Sequence, residues 1–189
     1  MNKQLISVYE TMTELESSGL LLRDFFYADS SSSLMSAYSA LNPTEAATLT
    51  KQAWLDIEYE FNVLFIGPQK LKAPPFASVY LEEEALVMGK TTLDIREFMT
   101  SIGLYINKVN ITPDDHISYV LELAVLLSAN ARYSEKYEIA LHQYVFAYLM
   151  EWVPIFIDKI KTHSRTSALR MVAEKLSFWL DELKTRVSI

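Results

Sequence analysis

Two carboxylates and an imidazole stand side by side at Asp114, Asp115 and His116. Side chains of these types can bind a cationic or hydrogen-bonding peptide, and with further ligands they can hold a metal ion. The spacing alone favours a structural interpretation, because Thr112 and Asp115 are placed as a helix capping box and acidic residues stabilise the first turn of a helix. Both interpretations predict that a helix begins at this point.

The rest of the chain carries none of the short motifs that mark common enzymes. It has no glycine-rich phosphate loop, no dinucleotide fingerprint, no Gly-x-Ser-x-Gly elbow and no His-Glu-x-x-His helix. Among the histidines, only His142 has an acid, Glu138, at the spacing that lets two side chains share a metal on one helix. The chain contains no cysteine, which excludes thiolate ligands and nucleophiles. We therefore predict a protein that is not an enzyme, with no metal and no cofactor.

The charge balance argues against nucleic acid as a partner. The 189 residues include 17 Lys and Arg against 24 Asp and Glu, which gives a formal net charge of −7 and a pI near 5.0. Phosphate backbones select basic surfaces, so a cationic or neutral partner is expected instead.

No segment has the pattern of a secretory signal or a membrane span. Residues 1–22 mix polar and acidic residues with apolar ones and have no cleavage-site pattern. The most apolar stretch, residues 144–157, is short and is interrupted by Glu151 and Pro154. The expected location is the cytoplasm, without stable insertion into a membrane.

Helical periodicity dominates the chain. Apolar residues recur at spacings of three and four, which predicts helices over residues 2–27, 42–67, 79–88, 92–103, 113–131 and 166–187. A further helix is predicted over 134–150, and Pro154 is expected to kink it or to restart it before 155–161. The serines at 30–33 predict a break, and the prolines between 68 and 75 predict the longest loop.

Together these patterns predict an all-α fold. No segment shows sustained alternation of apolar and polar residues, which a half-buried strand would require. We expect a single-domain helical bundle over residues 1–189, with about 8–10 helices. Whether the bundle is a monomer or a dimer stays open at this point.

Four short segments then resemble one protein family. Residues 61–67, Phe-Asn-Val-Leu-Phe-Ile-Gly, resemble its Tyr-x-x-Leu-Phe-x-Gly segment, and residues 74–80, Pro-Pro-Phe-Ala-Ser-Val-Tyr, resemble its Pro-Tyr-x-Ser-x-Tyr/Trp segment. The Pro-Asp-Asp-His sequence at 113–116 is the most specific match, and Trp152 with Phe156 stands where the family places an aromatic pair. In order and spacing the chain resembles the TorD/DmsD/NarJ family of maturation chaperones for redox enzymes, and within it the short YcdY-type members.

The resemblance implies an all-α cytoplasmic chaperone that performs no catalysis. Its partner would be the twin-arginine signal peptide, or the apo form, of a molybdenum-cofactor enzyme, held until the cofactor is inserted. Two alternatives stay open: an accessory chaperone for a cytosolic metalloenzyme without an export signal, and, more remotely, a small metal-dependent hydrolase that uses His116 and nearby acids.

The peptide-binding residues are predicted to line an apolar groove with an acidic rim. An acidic rim can steer a peptide with two arginines, and a groove between helices accepts its apolar part. The predicted residues are Asp114, Asp115 and His116 at one edge, with Phe76, Tyr80, Glu82 and Trp152 as further walls.

Overall fold

The computed structural model describes residues 11–83, 89–104 and 112–188. Within those ranges every regular element is a helix, and the only extended pairing is an isolated antiparallel bridge between Phe76 and His116. The all-α prediction is confirmed. The predicted helical turns at residues 2–10 and 84–88, and Glu84 of the acidic run that follows Leu81, lie outside the described residues.

Each helix of the N-terminal third begins behind a side chain that accepts a backbone N–H from its first turn. This N-cap contact lowers the cost of the unpaired N–H groups at the helix start. The four helices are α1 (Glu14–Phe26), α2 (Ser31–Leu41), α3 (Pro43–Ala46) and α4 (Lys51–Phe61), capped by Thr13, Ser30, Asn42 and Thr50 respectively.

The predicted break is present between Phe26 and Ser31, but it ends inside the serine run, because Ser30 starts α2 through a reciprocal contact with Ser33. One prediction for this region was wrong. The single helix predicted over 42–67 is two helices, because Thr50 caps a second start before the apolar stripe continues. The second helix, α4, runs on into a π-helical turn, Asn62–Ile66, and the chain turns away at Gly67 with a φ of 105°.

Six further helices of the described residues complete the bundle. They are α5 (Ser78–Leu81), α6 (Lys90–Ser101), α7 (Ile117–Ala131), α8 (Glu135–Tyr144), α9 (Met150–His163) and α10 (Ser167–Val187). A second π-helical turn, Val145–Leu149, joins α8 to α9.

Pro154 does not restart a helix, so this alternative of the prediction was wrong. It lies inside α9. A proline removes one backbone donor, but the neighbouring side chains Trp152, Val153 and Phe156 are completely buried. Most of the stability of a protein helix comes from such packing, and here the packing outweighs the missing hydrogen bond.

Helix α7 forms the centre of the bundle. It packs against α1 and α8, while α1 also contacts α2 and α10, and α9 packs along α10. Edge-to-face aromatic contacts fill the space between α1, α4 and the first π turn, with Phe25 5.4 Å from Phe61 and Phe26 5.4 Å from Phe65 between ring centroids.

A buried carboxylate ties α1 to α7 and α10. Glu16 is 1% exposed and accepts hydrogen bonds from Ser128 Oγ at 2.9 Å and from Arg132 Nη1 at 2.6 Å. Arg186 Nη1 lies 3.4 Å away. Burial by itself raises the pKa of Glu16, but the hydrogen bonds from Arg132, Thr13 and Ser128 outweigh it and the net pKa is lowered. The carboxylate therefore stays charged inside the fold.

Two further carboxylates accept backbone N–H groups at the starts of other helices. Glu60 on α4 accepts the backbone N–H of Thr166 at 2.9 Å, and also that of Arg165, at the start of α10. Glu82 accepts the N–H of Thr91 at 2.7 Å in the first turn of α6. A negative charge at a helix N-terminus is favourable because of the helix dipole.

In the part of the chain that the structure describes, no helix is both long enough and apolar enough to cross a lipid bilayer.

Candidate functional site

Asp115 lies in the turn before α7, and its carboxylate is completely buried. Oδ2 accepts the backbone N–H of Ser78 at 2.9 Å, and Oδ1 accepts the hydroxyl of Thr92 at 3.1 Å. Asp115 therefore connects α5 and α6 to the start of α7. The capping-box spacing had predicted that Thr112 and Asp115 cap the helix that follows them. This prediction was wrong, because α7 begins at Ile117 and not at Pro113.

Asp114 is also buried, and it faces α6. Its Oδ2 accepts from both Nη2 and Nε of Arg96, at 2.6 and 2.7 Å. The Arg96 side chain is 56% exposed, so this ion pair closes the surface over Asp114.

His116 is the N-cap of α7. Its Nδ1 accepts the N–H of Ser118 at 3.2 Å, which assigns the ring proton to Nε2 in the neutral imidazole. The ring packs edge-on against Phe76 at 5.1 Å. Burial lowers the pKa of His116 to about 4, although the negative charge of Asp115 opposes this shift. His116 is therefore uncharged at neutral pH.

The four remaining predicted residues lie along one side of this motif. Tyr80 donates its hydroxyl to Pro74 O at 2.8 Å and packs its ring 5.7 Å from the buried ring of Trp152. Glu82 is engaged at the start of α6, and the backbone hydrogen bond from Thr91 is the main cause of its lowered pKa. The structure thus gathers the predicted residues into one neighbourhood, but most of them contact other parts of the protein and not solvent.

An open groove of about 610 Å³ lies beside His116. It is formed where the end of α1, the start of α2, α4 and the first π turn meet. Its apolar wall includes Phe61, Leu34 and two well-exposed side chains, Tyr27 (54%) and Ile66 (55%).

Two carboxylates that sequence analysis missed, Asp29 and Glu58, lie on this groove. They accept hydrogen bonds from the hydroxyls of Ser33 and Ser31 respectively. Among the described residues no cationic side chain forms an ion pair with either one. Neither residue belongs to a motif, and only the break at the serine run indicated that helix ends meet here.

The described residues include no group of three or more His, Asp or Glu side chains arranged to hold a metal ion. The nearest acids to His116 are instead occupied by Arg96, Ser78 and Thr92.

Comparison with known families identifies this architecture. The model of the family described as "Nitrate reductase delta subunit" matches residues 29–158. The chain belongs to the nitrate reductase delta subunit family. The predicted membership in the TorD/DmsD/NarJ group is thereby confirmed. The match includes α5, α6, the Pro-Asp-Asp-His motif and the part of the groove from Asp29 onward.

Named relatives within the nitrate reductase delta subunit family are chaperones. The chain is 30% identical to the Tat proofreading chaperone DmsD of Salmonella typhimurium over 152 residues, which are 80% of this chain and 70% of that protein. It is 32% identical to DmsD of Salmonella typhi over 126 residues, 67% of this chain and 56% of the relative. The chaperone protein TorD of Photobacterium profundum is 30% identical over 117 residues, 59% of this chain and 54% of TorD.

The chain therefore spans little more than half the length of some of these relatives. The crystal structure of a redox enzyme maturation protein from Archaeoglobus fulgidus has the same fold, with a TM-score of 0.58, 24% identity, and coverage of 93% of this chain and 97% of that one. The named relatives are chaperones and not catalysts, in agreement with the prediction that this protein is not an enzyme.

Proposed function

We propose that this protein is a cytoplasmic maturation chaperone that binds the twin-arginine signal peptide, or the apo form, of a molybdenum-cofactor enzyme. It holds the client until the cofactor is inserted. Family membership supports a chaperone role, and the DmsD relatives are Tat proofreading chaperones. Nucleic acid has no part in this proposal, because the net charge is −7.

The single observation that carries the proposal is the groove beside His116, which combines an apolar wall with two carboxylates free of cationic partners among the described residues. A signal peptide with paired arginines followed by an apolar stretch matches this arrangement. The guanidinium groups pair with Asp29 and Glu58, while the apolar part packs on Tyr27 and Ile66.

His116 and its acidic neighbours act in this proposal as positioning residues. Asp115 holds α5 and α6 against α7, and His116 caps α7. Together they fix the position of the His116 side of the groove. Arg96 occupies Asp114, so Asp29 and Glu58 supply the charges that recognise the client.

Isothermal titration with leader peptides of candidate clients from the same genome tests the proposal. Exposed charges are screened over roughly 8 to 10 Å at ordinary salt, so the association rate should fall as ionic strength rises. Burial of the apolar stretch should give a negative heat-capacity change. Replacing both arginines by lysines should weaken binding, because lysine keeps the charge but loses the planar fork.

Variants locate the site within the same titration. Asp29→Asn and Glu58→Gln should each weaken binding about ten-fold, roughly the value of one charge-assisted contact, without lowering stability. Asp181→Asn, an exposed acid on α10, is the matched control and should bind like the parent protein. If no leader binds more tightly than a scrambled peptide of equal charge, export proofreading is abandoned in favour of an accessory chaperone for a cytosolic metalloenzyme.

A further inference from the structure

A short segment, residues 74–81, crosses the start of α7 and is called the strap below. Its backbone pairs in antiparallel fashion with the Pro-Asp-Asp-His motif. The N–H of Ala77 donates to Asp115 O at 3.1 Å, and the N–H of Ile117 donates to Pro75 O at 2.8 Å, on either side of the bridge between Phe76 and His116. This is the geometry by which an extended peptide binds to an exposed backbone edge.

Beneath the strap, three buried polar atoms have no hydrogen-bond partner among the described residues. They are Ser78 Oγ on the strap, Tyr148 OH on the second π-helical turn and Trp152 Nε1 on α9. Buried polar atoms in proteins are almost always hydrogen-bonded. Tyr80 places the strap directly over Trp152, with 5.7 Å between the rings. The rings of Tyr80 and Trp152 thus pack together, while the three buried polar atoms near them have no hydrogen-bond partner among the described residues.

Tyr148 lies close to Asp115. Burial, and in second place the negative charge of Asp115, raise the pKa of the Tyr148 hydroxyl well above its ordinary value. Its hydroxyl therefore remains a hydrogen-bond donor at neutral pH, as the indole N–H of Trp152 always is. Both donors suit a carbonyl oxygen.

The strap is packed against its surroundings but forms few hydrogen bonds with them. Its only regular structure is the single helical turn of α5, Ser78–Leu81. The Tyr80 hydroxyl donates to Pro74 within the strap, and Leu81 is 39% exposed. Among the described residues, three hydrogen bonds join the strap to parts of the protein that are distant in sequence: the two backbone bonds to the motif and the bond from Ser78 to Asp115. Burial of Ala77, ring packing, and Lys159 Nζ 5.9 Å from the Tyr80 ring complete the attachment.

We propose that the strap is an internal stand-in for an extended client peptide, which displaces residues 74–81 and pairs with the backbone of residues 115–117. The peptide carbonyls then accept from Tyr148 and Trp152, and the carboxylate of Asp115, released from Ser78, takes a peptide N–H or cationic side chain. Since His116 borders both the groove and the strap, one peptide can occupy both. This inference rests on the proposed chaperone function.

Thiol labelling tests whether the strap opens, because the chain has no cysteine of its own. Ser78→Cys places a single thiol under the strap, and Ala173→Cys on α10 is the matched control, since both positions are completely buried. Without peptide, the Ser78→Cys thiol should react with Ellman's reagent at least about ten-fold faster than the control, because local opening costs less than global unfolding. Saturating leader peptide should accelerate it further and leave the control unchanged.

Equal labelling rates at the two positions, or slower labelling of the Ser78→Cys thiol with peptide bound, would overturn the inference. If Ser78→Cys does not fold, Ala77→Cys serves in its place, because it is equally buried. Hydrogen exchange on the unmodified chain gives an independent measure: on peptide binding the amide of Ala77 should lose protection while that of Ile117 keeps it. Failure of every leader to bind in titration would reject the chaperone function, whereas labelling without peptide decides strap opening by itself.

Discussion

The carboxylate of Asp115 accepts the backbone N–H of Ser78 at 2.9 Å, although the two residues are 37 positions apart in the chain. The same carboxylate accepts the hydroxyl of Thr92. In the sequence, an acid next to a histidine suggests a binding site. In the structure, Asp115 joins α5 and α6 to the start of α7. The position of α5 and α6 against α7 therefore depends on this one side chain.

Asp115→Asn should lower the free energy of unfolding by about 1 to 3 kcal/mol. Both carboxylate oxygens accept hydrogen bonds, so the amide NH₂ of asparagine would replace one buried acceptor and lie against the donor of Ser78 or Thr92. Urea denaturation followed by circular dichroism measures the change. Asp181→Asn on the exposed face of α10 should change stability by less than about 0.5 kcal/mol. Equal stabilities of the parent and Asp115→Asn proteins would contradict the structural role of this carboxylate.

His116 should make the protein less stable in mild acid. Its pKa is lowered to about 4 in the folded chain, whereas the unfolded value is about 6.5. Between these values the unfolded state binds more protons, so stability falls as the pH drops from 6.5 to 4. The loss amounts to at most about 3 kcal/mol.

His116→Asn removes this titration and keeps a side-chain acceptor suited to the N-cap of α7. Denaturation at a series of pH values should show a shallower loss for the variant than for the parent between pH 6.5 and 4. Parallel curves for the two proteins would show that His116 is not buried in its neutral form.

Arg132→Gln should lower the free energy of unfolding by about 3 kcal/mol, because it removes the cation that lies 2.6 Å from the buried Glu16 carboxylate. The double variant Glu16→Gln/Arg132→Gln should recover part of the loss, since no charge is then left buried. Lys175→Gln, an exposed residue on α10, serves as control. A double variant less stable than Arg132→Gln would contradict this account.

Gly19→Ala should destabilise the protein, although alanine is normally the better helix former by about 1 kcal/mol. A Cβ at this position would lie 2.7 Å from Val125 Cγ2 and 2.8 Å from Trp179 Nε1. Overpacking of this kind typically costs about 1 to 3 kcal/mol. Thermal unfolding should place Gly19→Ala below the parent and the exposed neighbour Ser18→Ala close to it. A more stable Gly19→Ala protein would show that α1 can move away from α7 and α10.

Much of the fold follows from the sequence because its signals are local. Apolar spacing predicts α10 to within one residue and α6 to within two residues at each end. Asn42 and Pro43 predict a helix start that the structure contains, since a cap acts within one helical turn. The splitting of that helix at Thr50 was missed because a second cap inside a continuous apolar stripe has no visible effect on the periodicity.

What the sequence by itself determined is the helical fold and the family, because period, caps and motif spacing act over a few residues. Only the tertiary structure decided which partners the carboxylates have: Asp115 with Ser78, Glu60 with Thr166, and Asp29 and Glu58 brought to one groove from separate helices. These choices join residues far apart in the chain, and they depend on how whole helices pack. No local spacing encodes that packing, so the motif indicated the neighbourhood of the candidate site but not the carboxylates that line the groove.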